Sequence, residues 1–144
     1  MKLKIRRGQV KDLNQVYILG SRTEELKFSK KIRFHIKPEF VEWIKKPKTN
    51  IFLVADDSGK IVGFLYAKII DRDWCMLDNL VVDNRHRNKG IGYEMLEQLY
   101  KILKKEKVDY MQTLVEANHK NSQKFWKGKG FAKGKTFVWY EKEI

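Results

Sequence analysis

Residues 80–93 read LVVDNRHRNKGIGY, which is an apolar strand end, a basic loop and the start of a helix. The first main-chain N–H groups of a helix have no acceptor within the helix, and they lie at the positive end of its dipole. Gly90 and Gly92 have no Cβ atom, so an anion can approach the main chain closely. Basic side chains add charge to the same loop, at Arg85, Arg87 and Lys89. The stretch therefore predicts a phosphate-binding loop, with a surface turn that only caps a helix as the alternative.

Two common nucleotide-binding patterns do not fit this loop. The glycines do not form the G-x-G-x-x-G fingerprint of dinucleotide-binding domains, and no Walker pattern is present. The sequence therefore favours a phosphate-containing ligand other than NAD or ATP.

Around the loop, the hydrophobic pattern predicts strands and helices. Apolar residues recur at helical spacing over residues 91–105, and the opposite side of that helix is charged. Three consecutive strands precede the loop, the first two joined by a turn at residues 56–60; they span residues 51–55, 61–70 and 74–82.

The remaining segments complete a mixed α/β pattern. Before the hairpin, we predict a strand at residues 2–7, a helix capped by Asp12 and a helix from Pro38 to Pro47. After the long helix, we predict a strand at 110–116, a helix at 121–127, and one or two strands within 131–142. Helices that cross between strands predict an α/β fold, in which a mixed sheet carries helices on both faces.

Composition limits the class of protein. A chain of 144 residues without a linker or repeat is expected to form one domain over residues 1–144. No apolar run is long enough to span a bilayer, so we expect no membrane association. A single cysteine, Cys75, cannot form an internal disulfide, and we expect a cytoplasmic protein. The three histidines have no partners at metal-binding spacing, so we expect no metal site.

Two blocks of sequence resemble the GNAT superfamily of N-acetyltransferases. The first begins at residue 77 and contains Arg87-x-x-Gly90-x-Gly92, which is similar to the family's acetyl-CoA motif, Q/R-x-x-G-x-G/A. The second spans residues 115–131 and contains an asparagine, then Trp126 followed four places later by Gly-Phe. Both blocks occur in the family's order, and the resemblance covers nearly the whole chain.

The resemblance implies a fold and a cofactor. The GNAT fold has a central, mostly antiparallel sheet that splays between its fourth strand, here 74–82, and its fifth, here 110–116. The pantetheine arm of acetyl-CoA lies in that gap. By this resemblance, main-chain groups of Leu80, Val81 and Val82 bind pantetheine, and Asn118, Asn121 and Trp126 lie along the coenzyme. The residues implied at the pyrophosphate are Arg87, Asn88, Lys89, Gly90, Ile91, Gly92 and Tyr93.

The implied reaction is direct attack of an amine on the acyl thioester. An amine with a pKa near 10.4 costs about 4.6 kcal/mol to deprotonate at pH 7, whereas a thiolate leaving group costs about 2 kcal/mol. A carboxylate that acts through water is therefore a suitable base. Asp78 shares a strand face with Leu80 and Val82 by simple alternation, and Glu116 ends the fifth strand near the gap. Either acid has a purely structural role as its alternative, and Glu24 and Glu25 are further candidates for the base.

Trp126 departs from the family pattern. Many relatives carry a tyrosine there, which serves as general acid for the thiolate. An indole N–H donates a hydrogen bond but does not release its proton. Either another group supplies the proton or none is needed; the other candidates are Tyr93, Tyr66 and Tyr140.

The acceptor is the least constrained part of the prediction. In this superfamily, specificity comes from the segment that corresponds here to residues 20–48, which includes Glu24, Glu25, Phe28, Phe34 and Trp43. We expect an amine of a small molecule or a protein as acceptor, and a homodimer is one option for assembly. Two other functions stay open, namely an acyl-CoA-binding module without catalysis and a basic nucleic-acid-binding domain. The net charge of +13 is the only support for nucleic acid, which is not favoured.

Overall fold

The computed structural model describes residues 2–27, 35 and 37–144. In chain order, the strands and α-helices are β1 (Leu3–Arg7), α1 (Leu13–Ser21), α2 (Lys37–Lys45), β2 (Asn50–Asp57), β3 (Lys60–Asp71), β4 (Trp74–Val82), α3 (Ile91–Lys105), β5 (Tyr110–Thr113) and α4 (Lys120–Gly128). Short 3-10 turns occur at Val10–Asp12, Glu24–Leu26 and Asn84–His86.

These strands form one sheet in the order β1-β2-β3-β4-β5. Neighbouring strands are antiparallel except for β4 and β5, which are parallel. A parallel pair needs a crossover connection, and α3 provides it. The β2–β3 hairpin turns tightly, with Asp56 Oδ1 accepting a hydrogen bond from the Gly59 N–H at 2.7 Å. The mostly antiparallel, mixed sheet confirms the predicted fold class.

Helices cover both faces of the sheet, because apolar side chains leave the central strands in both directions. On one face, the apolar side of α3 packs on the sheet, through Ile91, Met95, Leu96, Leu99 and Leu103. On the other face, α1 and α2 pack through Leu13, Val16, Leu19 and Phe40. We call these the α3 face and the α1/α2 face.

A charged cluster ties β1 to the start of α1 and to β2. The Arg6 guanidinium donates to both carboxylate oxygens of Asp12 at 2.8 Å, and Arg6 Nε donates to Asp56 at 3.0 Å. Asp12 is 3 % exposed, and its carboxylate also accepts the Gln9 N–H at 2.8 Å. Burial raises the pKa of Asp12, but the hydrogen bonds from Arg6 and Gln9 outweigh it, so the pKa lies below its usual value.

A bulge in β4 changes which side chains share a face. Asn79 pairs with Tyr66 and Leu77 pairs with Ala67, so Asp78 is the extra residue in the ladder. Leu77 packs on the α3 face, and so does Leu80. Simple alternation would place these two on opposite faces. Asp78 therefore does not share a face with Leu80 and Val82, and that prediction was wrong because alternation assumes an unbroken ladder.

Two predictions for the C-terminal third were also wrong. The fifth strand ends at Thr113 rather than at Glu116. No strand forms over residues 131–142, and every residue from 132 to 144 is exposed. The side chains Phe137, Val138 and Tyr140 are 81 %, 76 % and 90 % exposed. Residues 131–142 therefore contain strand-forming sequence that makes no ladder with the other described residues.

Two residues of the predicted acceptor segment, Phe28 and Phe34, lie outside the described residues.

Within residues 2–27, 35 and 37–144, no helix is long and apolar enough to cross a membrane. The same described ranges contain no group of three or more His, Cys, Asp or Glu residues that could hold a metal ion.

Candidate active site

A gap opens between β4 and β5 beyond Leu77. The parallel ladder pairs residues 74–77 with residues 110–113 and then stops. At its last rung, Thr113 Oγ1 donates to the Leu77 carbonyl at 2.9 Å. β4 continues to Val82, so residues 78–82 have no ladder partner on the β5 side in the described part of the chain. This free strand edge confirms the predicted splay between the fourth and fifth strands.

The basic loop lies at the far end of this free edge. After the 3-10 turn at Asn84–His86 the chain becomes extended at Arg87, and Asn88 then adopts a positive φ of 60°. Gly90 has φ 80° and ψ 4° and is the N-cap of α3. Among the described residues, no oxygen accepts a hydrogen bond from the main-chain N–H groups of residues 88–93. The loop therefore presents a row of unsatisfied donors at the positive end of a helix dipole.

The space in front of these amides fits a phosphate group. A Cβ atom on Gly90 would meet no atom within 4 Å, and one on Gly92 would be 3.6 Å from the Phe125 ring. The positive φ of Gly90 favours glycine because L side chains rarely adopt it. The free amides, the open space and the nearby basic side chains together make a site that suits the pyrophosphate of coenzyme A.

Asp83 holds the loop in this shape. Its carboxylate is 5 % exposed and accepts the Arg85 N–H at 3.0 Å. Arg22, at the end of α1, donates to the other carboxylate oxygen at 2.5 Å, and His86 Nδ1 lies 3.4 Å away. Burial raises the pKa of Asp83, but these hydrogen bonds and the charges of Arg22 and Arg85 outweigh it, so the pKa is lowered. Asp83 therefore stays ionised and links the loop to α1.

Arg87 borders a cavity beside the loop. Its Nε donates to the Val82 carbonyl at 3.1 Å, and its Nη1 lies 3.2 Å from Glu25 Oε1. The cavity has a volume of about 560 Å³ and is bounded by α1, the 3-10 turn at Glu24–Leu26 and the end of β4. Glu25 thus accepts a hydrogen bond from one nitrogen of the Arg87 guanidinium, which could also bind an anionic ligand.

Asp78 lies at the bulge, where the free edge of β4 begins. Desolvation raises its pKa, while the charges of His35 and Lys68 act in the opposite direction. The Asp78 charge in turn raises the pKa of Tyr66, although burial is the larger cause. Tyr66 contacts Trp43 of α2, with ring centroids 3.6 Å apart. Asp78 is therefore a carboxylate of raised basicity on the α1/α2 face.

Asn79 is a residue that sequence reasoning missed. It is 7 % exposed and pairs across the ladder with Tyr66, so it points to the α1/α2 face as well. Its Oδ1 atom is buried and accepts no hydrogen bond from the residues that the structure describes. A buried acceptor without a donor is costly, and such groups are commonly explained by a functional role. The sequence offered one signal, which was a polar pair inside an apolar strand.

The second candidate base and the asparagines lie after β5, in a turn and at the start of α4. Glu116 is exposed, and its carbonyl accepts the His119 N–H at 2.9 Å. Asn118 and Asn121 are exposed too, on the turn and on α4 respectively. The structure gives no contact between the Glu116 carboxylate and the bulge at Asp78. These two acids therefore belong to different segments of the site.

Trp126 and the tyrosines occupy distinct environments. Trp126 is partly buried against the α3-face core and makes edge contacts with Phe125 and Phe131. The Tyr66 hydroxyl donates to Asn50 Oδ1 at 2.7 Å inside the core. Tyr93 is 47 % exposed beside the loop, and Tyr140 is 90 % exposed on the C-terminal segment. Of the three tyrosines, Tyr93 is the one adjacent to the loop amides.

Comparison with known proteins agrees with this geometry. A family model described as the acetyltransferase (GNAT) family matches residues 17–131. Among curated protein sequences, none matches this chain.

Solved structures show the same fold at low sequence identity. The PaiA N-acetyltransferase from Thermoplasma acidophilum, in complex with coenzyme A, has a TM-score of 0.84 and 20 % identity over 95 % of this chain and 94 % of that chain. Ard1 from Thermoplasma volcanium has a TM-score of 0.77 and 19 % identity over 92 % and 84 %. An aminoglycoside acetyltransferase from an uncultured soil metagenomic sample has a TM-score of 0.77 and 16 % identity over 99 % and 96 %. The chain therefore belongs to the acetyltransferase (GNAT) family, which uses acetyl-CoA.

Proposed function

We propose that this protein is an N-acetyltransferase that moves an acetyl group from acetyl-CoA to an amine by direct attack, with both substrates bound together. The observation that carries the proposal is the continuity of the free β4 edge with the unsatisfied amides of residues 88–93. One continuous surface thus offers hydrogen-bonding groups to an extended, amide-containing chain that ends in a diphosphate.

Each part of this surface has a separate task in binding. The main-chain amides of residues 88–93 hold the pyrophosphate, and Lys89 adds a positive charge. The main-chain groups of Leu80 and the Val82 N–H face the free edge and align the pantetheine arm, while the Val82 carbonyl is shared with Arg87 and the main-chain groups of Val81 point toward β3. Acetyl-CoA supplies an activated acetyl thioester. A main-chain N–H held against a developing oxyanion typically contributes about 3 kcal/mol.

The amine must lose a proton, and Asp78 is our proposed base. Its position at the bulge places it beside the free edge, on the face that α2 covers. Its raised pKa makes it a stronger proton acceptor than an ordinary aspartate. Glu116 is the second candidate, in the segment that follows β5. The acceptor enters on the α1/α2 face in this proposal, next to Asn79.

The first test separates coenzyme binding from the rest of the fold. Gly92→Glu places a carboxylate among the loop amides, and we expect coenzyme A affinity to fall at least about tenfold, or 1.4 kcal/mol. Gly128→Glu is the matched control, because a side chain there meets open space at the end of α4. Calorimetric titration with coenzyme A measures both variants. Equal coenzyme A affinity in the two variants would show that residues 88–93 do not bind the pyrophosphate.

The second test identifies the acceptor. Acetyl-CoA is incubated with a panel of small diamines, amino acids, an aminoglycoside and a peptide with a free N-terminus, and acetylated products are read by mass spectrometry. The aminoglycoside is included because one structural neighbour is described as an aminoglycoside acetyltransferase. Amine-dependent product supports the proposal. Tight coenzyme binding without product from any amine would instead favour an acyl-CoA-binding module, which Trp126 at the usual tyrosine position would also suit.

A further inference from the structure

An ion pair joins the basic loop to the 3-10 turn at Glu24–Leu26. Arg87, the arginine of the R-x-x-G-x-G motif, donates from Nη1 to Glu25 Oε1 at 3.2 Å. The Glu25 side chain is 32 % exposed and the Arg87 side chain is 41 % exposed, so solvent reaches the pair. Both residues line the cavity of about 560 Å³ beside the loop. An acid therefore contacts a cation at the border of the coenzyme site.

This ion pair is also the polar link between the turn and the loop. Among the hydrogen bonds and ion pairs of the described residues, it is the one that joins residues 23–27 to residues 83–93. The other polar contacts of the turn are local, since the Lys27 N–H donates to the Glu24 carbonyl at 2.9 Å and Lys27 Nζ donates to Glu24 Oε1 at 2.6 Å. Leu26 packs against the α1/α2-face core. Breaking one polar contact therefore frees the turn from the loop.

The Arg87 guanidinium has no complete pair of donors for a phosphate while Glu25 is in place. Arginine binds phosphate most strongly through two parallel N–H groups. Nε already donates to the Val82 carbonyl at 3.1 Å, and Nη1 donates to Glu25. Each of the two possible pairs, Nε with Nη2 and Nη1 with Nη2, thus includes a nitrogen that is in use. The Val82 carbonyl belongs to the main chain of β4, whereas Glu25 contributes a partly exposed side chain, so Glu25 is the partner that a phosphate can displace.

Electrostatics favours the same exchange. A carboxylate and a diphosphate that share one guanidinium repel each other because both are negative. The diphosphate carries more charge than the carboxylate, and in the proposed site it is also held by the amides of residues 88–93. It should therefore displace the carboxylate of Glu25, and the displacement makes coenzyme binding weaker than it would be without this acid.

We propose that Glu25 competes with the diphosphate of coenzyme A for Arg87, and that the Glu24–Leu26 turn separates from the loop when the coenzyme binds. Arg22 keeps its contact with Asp83, so α1 stays in place while the turn moves. Because the turn and Arg87 both line the cavity, their separation widens it at the end of β4. The inference rests on the coenzyme site of the proposed function and adds an internal competitor to it.

Coenzyme A affinity tests the competition. Glu25→Gln removes the competing charge, and we expect the Kd of coenzyme A to fall about threefold to fivefold, as for the loss of an exposed ion pair. Glu24→Gln is the matched control, because it removes the same charge from the adjacent residue, whose carboxylate pairs with Lys27. It should leave the Kd nearly unchanged. Calorimetric titration measures both variants. Equal effects of the two variants, or weaker binding by Glu25→Gln, would overturn the proposal.

A double-mutant cycle shows whether Glu25 acts through Arg87. In an Arg87→Gln background the loop amides remain, so coenzyme A binding stays measurable. The further change Glu25→Gln should then have no effect on the Kd, because the cation for which the carboxylate competes is absent. If the same gain in affinity persists without Arg87, Glu25 acts on the coenzyme by another route and the inference is wrong.

A crystal structure of the complex with coenzyme A separates failure of this inference from failure of the proposed function. We expect a phosphate oxygen within hydrogen-bond distance of Arg87 Nη1, and the Glu25 carboxylate more than about 4 Å from that nitrogen. Coenzyme A bound on the amides of residues 88–93 with the Glu25–Arg87 pair intact would overturn the inference and leave the proposed function standing. Coenzyme A bound elsewhere would contradict both.

Discussion

At the scale of single residues, the bulge places Asp78 and Asn79 side by side at the point where β4 separates from β5. For Asp78→Asn, we expect kcat to fall about 100-fold or more, because the variant cannot accept the amine proton. Coenzyme A affinity should change little, since the loop amides are untouched. Steady-state kinetics and calorimetric titration measure the two effects separately.

The pH dependence of the wild-type rate tests the same assignment. Desolvation raises the pKa of Asp78 above 3.8, so the rate should fall as pH drops through a value higher than that of an ordinary aspartate. Asp78→Asn should lack this acidic limb. Glu116→Gln is the control and should keep it. If Glu116→Gln loses the limb instead, the base is Glu116.

Asn79 predicts a conflict between stability and activity. Its buried Oδ1 has no hydrogen-bond donor in the described part of the chain, and such a missing bond typically costs about 1 kcal/mol or more. Asn79→Leu has nearly the same size and removes the unsatisfied oxygen, so the free energy of unfolding should rise by about 1 kcal/mol. We expect the KM for the amine acceptor to rise, because the variant lacks the oxygen that would accept a hydrogen bond from that amine. Urea denaturation and acceptor KM report the two quantities, and an unchanged KM would leave Asn79 without a role at the acceptor.

Sequence reasoning found some of these residues and missed others for identifiable reasons. The glycine loop is local, because its function depends on consecutive amides, and so it was visible in the sequence. The ion pair between Asp83 and Arg22 joins residues that are far apart in the chain, so no local sequence pattern predicts it. Asn79 was given no role because a polar pair inside an apolar strand does not show which of its two residues has a function.

At the scale of elements, the Arg6–Asp12 contact fixes β1 to the start of α1. Asp12→Ala leaves a largely buried guanidinium with Asp56 as its remaining acid, and we expect a loss of about 3 kcal/mol in the free energy of unfolding at pH 7. Asp73→Ala, in an exposed turn, is the control and should cost less than about 0.5 kcal/mol. Chemical denaturation at pH 7 measures both.

Low pH should also remove the contribution of the Arg6–Asp12 contact to the stability of the wild-type protein. The pKa of Asp12 in the folded state lies below its ordinary value of 3.8, so its stabilisation is complete above that value and is lost as pH falls through the folded-state pKa. Between pH 5 and pH 2 the wild-type stability should therefore decline more steeply than that of Asp12→Ala. Parallel declines would show that Asp12 does not drive the acid sensitivity.

Elements were predictable where periodicity alone decides them. The amphipathic pattern gave α3 over residues 91–105, as observed. The bulge was not predictable, since one extra residue leaves the apolar composition of β4 unchanged while it reverses the faces. The strands predicted within residues 131–142 are absent for another reason. Strand preference is a local property and does not determine whether a strand edge is available for pairing.

At the scale of the whole molecule, the net charge of +13 should act on coenzyme binding. Coenzyme A is a polyanion, and raising the ionic strength from about 0.05 M to about 0.5 M shortens the screening length several-fold. We expect its Kd to rise several-fold over this range, as measured by calorimetric titration. Because screening leaves mainly nearby charges effective, Lys89→Gln should flatten the salt dependence.

Lys48→Gln, just before β2 and at the opposite end of the sheet from the loop, removes the same charge and should leave the salt dependence as in the wild-type protein. Equal effects of the two variants would mean that the overall field, rather than the loop, attracts the coenzyme. The global fold and the cofactor were thus predictable, since they rest on repeated patterns along the chain. The acceptor was not, because its recognition depends on side chains from separate segments.

The burial of Cys75 has a practical consequence for enzymology. This single cysteine is fully buried in β4, and burial raises the pKa of its thiol to about 11. Thiolate is the species that reacts with chromogenic disulfide reagents, so the native enzyme should contribute almost no background colour. Each equivalent of colour in a continuous assay would then count one turnover, and a slow rise without substrate would report unfolding.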